Sequence, residues 1–288
     1  MRKSFLAVLA AALLLGVAAR AEQPKDWTTP FPPFRIAGNL YYVGSADLAS
    51  YLVVTPKGDI LINSNLESSP ALIRKSVEKL GFKFSDVKIL LISHAHFDHA
   101  AGSALIKKMT GAKYEVMDAD VATVESGGRD DFAFGHDRTM WFPPTKVDRV
   151  LHDGDTVELG GTVLTAHKTA GHTKGAITWT MDEQQGGKVL HVVIVGGPYA
   201  LSSYKLVGNK QYPQIAQDFE RQFAELRALP CDVFLGAHGI YFGLKEKYAR
   251  FQAGDRNAFI DPAGYRKFVE DAQRNFEAQL KKQRAAAR

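Results

Sequence analysis

A single cysteine, Cys231, stands in 288 residues, so no disulfide can close within the chain. It lies beside Asp232 and before the apolar run Val233-Phe234-Leu235. A small buried thiol is the expected role there, since no activating neighbour is in view. The sequence also has no low-complexity tract and no short internal repeat. Its longest uncharged apolar run, Phe5 to Ala19, is short for a transmembrane helix. That run follows Arg2-Lys3 and ends at Ala19-Arg20-Ala21, the pattern of a cleaved leader. Residues 1–21 are therefore expected to be a signal peptide. The mature protein would begin near Glu22, be periplasmic and keep no stable membrane anchor. A strong excess of one charge is missing too. The net charge is +5, and setting aside the three cations of residues 1–21 leaves +2, which makes no case for nucleic acid as a partner. The closing Lys281-Lys282-Gln283-Arg284 reads as a solvated helix end. Acidic residues are absent from one whole segment: none occurs between Glu183 and Asp218.

What the chain does contain is a dense group of metal-binding side chains. His94-Ala95-His96-Phe97-Asp98-His99 places three imidazoles and a carboxylate in six residues. The apolar run Ile89-Leu90-Leu91-Ile92 precedes it and Ala100-Ala101-Gly102 follows, which reads as strand, ligand loop and helix. Borderline metals such as zinc take imidazole nitrogen and carboxylate oxygen in compact sites. Two further histidines share this setting. His172 lies in Ala170-Gly171-His172-Thr173-Lys174-Gly175, between two strand patterns, and His238 lies in Gly236-Ala237-His238-Gly239, at a strand end. Five histidines and one aspartate make two sets of three, the donor count of a di-zinc hydrolase with open coordination positions. The remaining histidines, His136, His152, His167 and His191, read as structural or surface groups. His136 is a lesser candidate because it rides a long aromatic loop.

The rest of the chain reads as short strands interleaved with helices. Residues 22–38 carry four prolines among Trp27, Phe31 and Phe34 and are expected to form an extended arm packed on something. Strand patterns occur at Leu40 to Val43, Tyr51 to Val54, Ile60 to Ile62, Val87 to Ile92 and Lys113 to Met117. More follow at Arg149 to Leu151, Thr156 to Leu159, Thr162 to Ala166, Ala176 to Thr180, Val189 to Val195 and Val233 to Gly236. Helices are expected at Ala71 to Leu80, Ala101 to Met109, Ile215 to Leu229, Leu244 to Gln252 and Pro262 to Lys282, with a helical turn near Asp118 to Val124. Residues 126–145 look like a long loop carrying Phe132, Phe134, Met140, Trp141 and Phe142, and ordered loops of that length are often functional. Two sheets covered by helices is the natural layering, and no interior linker divides residues 40–280, so 22–288 is expected to be one domain.

The set His94-x-His96-x-Asp98-His99, Gly171-His172-Thr173 and His238 resembles the metallo-β-lactamase superfamily. Phe31-Pro32-Pro33-Phe34, Asn39-Leu40-Tyr41-Tyr42-Val43-Gly44, Ile62-Asn63-Ser64, Tyr204-Lys205-Leu206, Tyr212-Pro213 and Leu229-Pro230-Cys231-Asp232 resemble its third subclass. The resemblance implies a mixed α/β fold, the four-layer αββα sandwich. It implies two zinc ions, one held by His94, His96 and His172 and one by Asp98, His99 and His238. It implies a zinc-bound hydroxide as nucleophile, with Asp98 orienting it and passing on its proton, and a small-molecule β-lactam as substrate: carbapenems, cephalosporins or penicillins. A monomer is expected.

Thioesterase, lactonase and nuclease relatives generally add a bridging aspartate after the strand that here reads Val192-Val193-Ile194-Val195-Gly196-Gly197. The missing acid favours the lactamase branch over another metal-dependent hydrolase. An exported zinc-binding relative of little or no activity would need only the ligands, and turnover, not metal content, separates it from an enzyme. Two features depart from the subclass. The turn that usually offers serine to the substrate carboxylate reads Pro198-Tyr199-Ala200-Leu201-Ser202-Ser203, leaving Ser202 or Ser203 as substitutes, with Phe134 and Trp141 as further candidate substrate contacts. Some relatives pair the cysteine at Cys231 with another in the C-terminal helix region, where Tyr265 stands here. Ser76-Val77-Glu78-Lys79 matches the Ser-x-x-Lys of serine β-lactamases. It has no Ser-Asp-Asn or Lys-Thr-Gly partner, and Ser76 and Lys79 are expected on the wet face of their helix.

Overall fold

The computed structural model describes residues 23–287. The expected signal peptide, residues 1–21, lies outside the described residues. Twelve strands form two sheets. The first holds β1 (Phe34–Ala37), β2 (Leu40–Tyr42), β3 (Tyr51–Thr55), β4 (Gly58–Ile62), β5 (Val87–Leu91), β6 (Lys113–Met117) and β7 (Arg149–Leu151), in chain order. The second holds β8 (Thr156–Leu159), β9 (Thr162–Lys168), β10 (Ile177–Gln185), β11 (Lys188–Val195) and β12 (Val233–Gly236), also laid side by side in sequence.

The two-residue period of a strand decides the layering. In β3 to β5, Val53, Ile60, Ile62 and Leu91 face the other sheet, where they join Leu164, Trp179 and Val192 in one core. Their neighbours Leu52, Leu61 and Leu90 point the opposite way and pack with Ile73 and Val77 of α1 (Pro70–Lys79). Ile106 of α3 (Ser103–Thr110) closes the same outer layer, just after the single turn α2 (Phe97–Ala100). The second sheet is covered by α5 (Ile215–Ala228) and α7 (Pro262–Ala286), whose Phe219, Phe223 and Phe276 form a stacked aromatic group. Helix, sheet, sheet, helix is the expected αββα order. The short helices α4 (Val121–Ser126) and α6 (Leu244–Gln252) fill the ends.

Several local readings change. The arm is not extended throughout: Lys25–Trp27 forms a 3-10 turn, and Phe34–Ala37 joins the sheet as its edge strand. The strand expected to stop at Thr180 runs on to Gln185, because Gly186-Gly187 turns it directly into β11 and Asp182 pairs across with His191. Ser76 is buried rather than wet, while Lys79 is exposed. The Ser-x-x-Lys pair therefore points to two different environments. Cys231 is a free thiol, pushed up to about 12 by burial and by the charge of Asp232, so it stays protonated. Tyr265 is buried near it and donates to the carbonyl of Leu226 at 2.6 Å. No helix among the described residues is long and apolar enough to cross a membrane.

Candidate metal centre

The parallel pairs β4–β5 and β11–β12 end at the same edge of the sandwich. The loop after β5 carries His94 to His99, and the residues after β12 carry His238. The first sheet hands its loop to the second directly. Ile177 N donates to Ser93 O at 2.8 Å, and Trp179 Nε1 donates to Ile92 O at 3.1 Å. The turn after β4 holds the loop's other end: the carbonyl of His99 accepts from the backbone N–H groups of Ser64 and Asn65 and from Ser64 Oγ, each at 3.1 Å. Asn63 and Asn65 adopt positive φ of 68° and 56° to make this turn, a conformation asparagine tolerates better than most residues. Asn63 Oδ1 then accepts from Ser93 N at 2.7 Å.

The donors converge in two groups. Ligand atoms of His94, His96 and His172 lie within 4.8 Å of one another, and those of His94, Asp98 and His99 do likewise. His238 completes the second group: its Nε2 is 3.1 Å from His99 Nε2 and 3.5 Å from Asp98 Oδ2, while His99 Nε2 is 3.4 Å from that same oxygen. A tetrahedral zinc with bonds near 2.0–2.1 Å sets its ligand atoms roughly 3.3 Å apart. Three buried or half-buried donors at that spacing fit a metal ion.

The electrostatics agree. Burial and the neighbouring imidazoles hold His94 well below its usual value, and burial with the charge of His96 lowers His172 to about 3. Both therefore present lone pairs at neutral pH. Burial works to raise Asp98, but the charges and hydrogen bonds of His99 and His238 outweigh it and keep the carboxylate ionised. Burial works to lower His238, but Asp47 and Asp98 overcome it and raise the ring to about 9. That position favours positive charge, which a metal cation supplies when it displaces the proton.

Outer partners aim the rings. His238 Nδ1 donates to Asp47 Oδ2 at 2.9 Å and His172 Nδ1 to Tyr199 O at 2.7 Å. His94 Nδ1 meets Ser93 Oγ at 3.1 Å. His96 Nε2 is 3.5 Å from Asp131 Oδ2, an ionic contact too long for a good hydrogen bond. Tyr204 donates its hydroxyl to His172 O at 2.7 Å. Asp120 fastens the two histidine loops together, taking Ala95 N at 2.9 Å, Thr173 Oγ1 at 2.7 Å and Gly175 N at 2.8 Å. Sequence reasoning missed Asp47, Asp120, Asp131 and Tyr204 as site residues. Their partners at the site are distant in sequence, and no motif spacing marks the three aspartates; Tyr204 stands in the Tyr204-Lys205-Leu206 segment, which points to the subclass but not to a role at the site.

A cavity of about 250 Å³ opens on four of the donors, His96, Asp98, His172 and His238, and is walled by Trp27, Phe97, Phe134, Met140, Phe142 and Tyr241. The long loop thus delivers Phe134, Met140 and Phe142 to the wall. Trp141 lies outside it, with Nε1 on Gly135 O and the guanidinium of Arg129 4.4 Å from its ring. Ser202 and Ser203 are exposed and do not line this cavity; Leu201 does. Ser203 lines a separate groove together with His136, Lys205 and Lys210.

Residues 48–190 match the family model of the metallo-beta-lactamase superfamily. The native FEZ-1 metallo-β-lactamase from Legionella gormanii is 56% identical and superposes with a TM-score of 0.88, covering 89% of this chain and 98% of that one. The chain belongs to the metallo-β-lactamase superfamily, in its third subclass, B3. The class B3 di-zinc metallo-β-lactamase LRA-12 from an Alaskan soil metagenome is 36% identical, with a TM-score of 0.86 over 90% of this chain and 98% of that one. A curated UPF0173 metal-dependent hydrolase from Anaeromyxobacter dehalogenans is 28% identical over 210 residues, 72% of this chain and 67% of its own length. The strand end where many superfamily members bring a bridging acid is Gly196-Gly197 in this B3 chain, and space explains the second glycine. A Cβ on Gly197 would stand 2.6–2.7 Å from three atoms of His172. Gly197→Ala is therefore expected to push His172 aside and weaken metal binding by the His94, His96 and His172 group by about 10–100-fold. Zinc titration of the variant against a chromophoric chelator checks this.

Proposed function

We propose that this chain is an exported β-lactamase that opens the amide bond of β-lactam antibiotics, penicillins, cephalosporins and carbapenems among them, using two zinc ions. The mature protein would be a single domain from about residue 22 and act as a periplasmic monomer. The observation that carries the reading is the convergence of six donors in two adjoining groups, four of which, His96, Asp98, His172 and His238, open on one aromatic-walled cavity, with no carboxylate at the Gly196-Gly197 end of β11. His94, His96 and His172 would hold one zinc, and Asp98, His99 and His238 the other. Bound zinc supplies Lewis acidity and lowers the pKa of water from 15.7 toward ~7.

The protein's own groups do the remaining work. Asp98 lines the cavity as an ionised carboxylate and is suited to orient the attacking water by accepting its hydrogen bond. The aromatic wall excludes bulk water and packs against the ring system of the substrate, which strengthens every charge interaction inside. No covalent enzyme intermediate is needed, in keeping with the buried Ser76 and the protonated Cys231. The test is turnover by the purified mature protein, zinc-loaded and then chelated, of a carbapenem, a cephalosporin and a glutathione thioester. Lactam hydrolysis that disappears on chelation and returns with zinc is expected. Fast thioester cleavage without lactam turnover would reject the reading.

A further inference from the structure

The first described residues reach the second metal position. Lys25–Trp27 forms a single 3-10 turn, and Trp27 from it lines the catalytic cavity. Its ring centroid is 5.9 Å from that of His238 and 6.1 Å from that of Phe97. Its indole Nε1 donates to Asp47 Oδ2 at 3.1 Å, and this is the oxygen that accepts His238 Nδ1 at 2.9 Å. The segment is pinned on either side of the ring: Ala46 N donates to Thr29 O at 2.9 Å, Pro30 bridges to Ser45, and Lys245 Nζ pairs with Asp26 Oδ2 at 2.6 Å. Asp47 is fixed from its other side as well, with Ile240 N on Oδ1 at 3.0 Å and Gly239 N on its carbonyl at 2.6 Å.

We propose that Trp27 is a positioning residue for the second metal: by donating to Asp47 it fixes the carboxylate oxygen that aims His238. An imidazole whose Nδ1–H is held by a carboxylate keeps Nε2 bare and pointed, which is what a metal ligand requires. A carboxylate oxygen shared by two donors is held in one plane. Without the indole, water takes the vacated place, the carboxylate gains freedom to turn, and His238 loses its fixed direction. The first metal position lies outside this chain of contacts, since His172 and His94 are oriented by Tyr199 and Ser93 instead. The effect of Trp27 is therefore confined to one of two sites. The apolar wall and the hydrogen bond are separable, because phenylalanine keeps the ring and drops the donor.

This inference rests on the two-zinc reading above, and its test reads metal rather than turnover. Wild type, Trp27→Phe and Trp27→Ala are titrated with zinc against a chromophoric chelator, and the metal-free forms are checked for equal melting temperature. The wild type is expected to show two binding steps; fewer than two would refute the two-zinc reading itself. Both variants are expected to keep the first step and weaken the second by about tenfold, the low end for partners one shell outside a ligand. An unchanged second step in Trp27→Phe, or an equal loss at both steps, overturns the proposal. A loss in Trp27→Ala alone also overturns it, by assigning the effect to the wall.

Discussion

Replacing Asp120 by alanine is expected to lower the melting temperature of the zinc-free protein by about 10 °C, a large shift for one side chain in a domain of this size. Asp120 is 1% exposed, and its two oxygens take three donors from two loops 80 residues apart in the chain, around residues 95 and 175. Removing it leaves the Ala95 and Gly175 N–H groups buried without acceptors, at roughly 1–3 kcal/mol each. Burial pushes the Asp120 carboxyl up against the pull of those hydrogen bonds, so its charge is not itself the source of stability; its acceptors are. Asparagine sharpens the point. Its oxygen can keep both Ala95 N and Thr173 Oγ1, which share Oδ2, and only the amide nitrogen then opposes Gly175 N. Asp120→Asn should therefore lose well under half of what Asp120→Ala loses. Thermal melts of the three proteins, metal-free, decide it: equal loss in both variants would mean that the charge, not the hydrogen-bond geometry, joins the loops.

Asp120 also shows where the sequence is legible and where it is not. The candidate ligand residues stand out because their chemistry is rare and their spacing local: four of six fall in His94 to His99. The layers stand out because burial imprints a two-residue period on Leu52, Val53, Ile60 and Leu61, which the two cores then divide between them. Asp47, Asp120 and Asp131 carry no such imprint. An aspartate that orients a histidine 191 residues away, as Asp47 does His238, has the same letter and the same neighbours as one that faces water. The turn at Lys25–Trp27 was hidden for a related reason. Proline density argues for an extended chain locally, whereas the tertiary contacts of Trp27 with Asp47 and His238 decide the turn. The same holds for Ser202 and Ser203, which the resemblance to the subclass's serine-bearing turn offers as carboxylate contacts, whereas the backbone leaves both exposed and off the lining of the cavity.

The second large effect concerns Asp98. Asp98→Ala removes one of three donors that lie 3.1–3.5 Å apart, and the remaining His99 and His238 form a two-nitrogen site. Weaker zinc at that position follows from ligand number alone. If this were the whole role, excess zinc would restore the rate. The cavity suggests more. Asp98 is the one member of that triad whose side chain is a carboxylate, it lines the cavity, and its neighbours hold it ionised. A positioned carboxylate that orients the reacting water and takes up a proton from it in the transition state contributes on the order of 10²–10⁴ in rate. The expected result is a kcat lower by about that factor for Asp98→Ala, at zinc concentrations that saturate both binding steps, with KM changed far less. Asp98→Asn separates the two roles further, because the amide can still accept one hydrogen bond but brings no charge to the metal. Steady-state kinetics on a lactam across a zinc series gives the answer. Full recovery of kcat in Asp98→Ala at saturating zinc would reduce Asp98 to a ligand, and the orientation of water would then have to come from the metals alone.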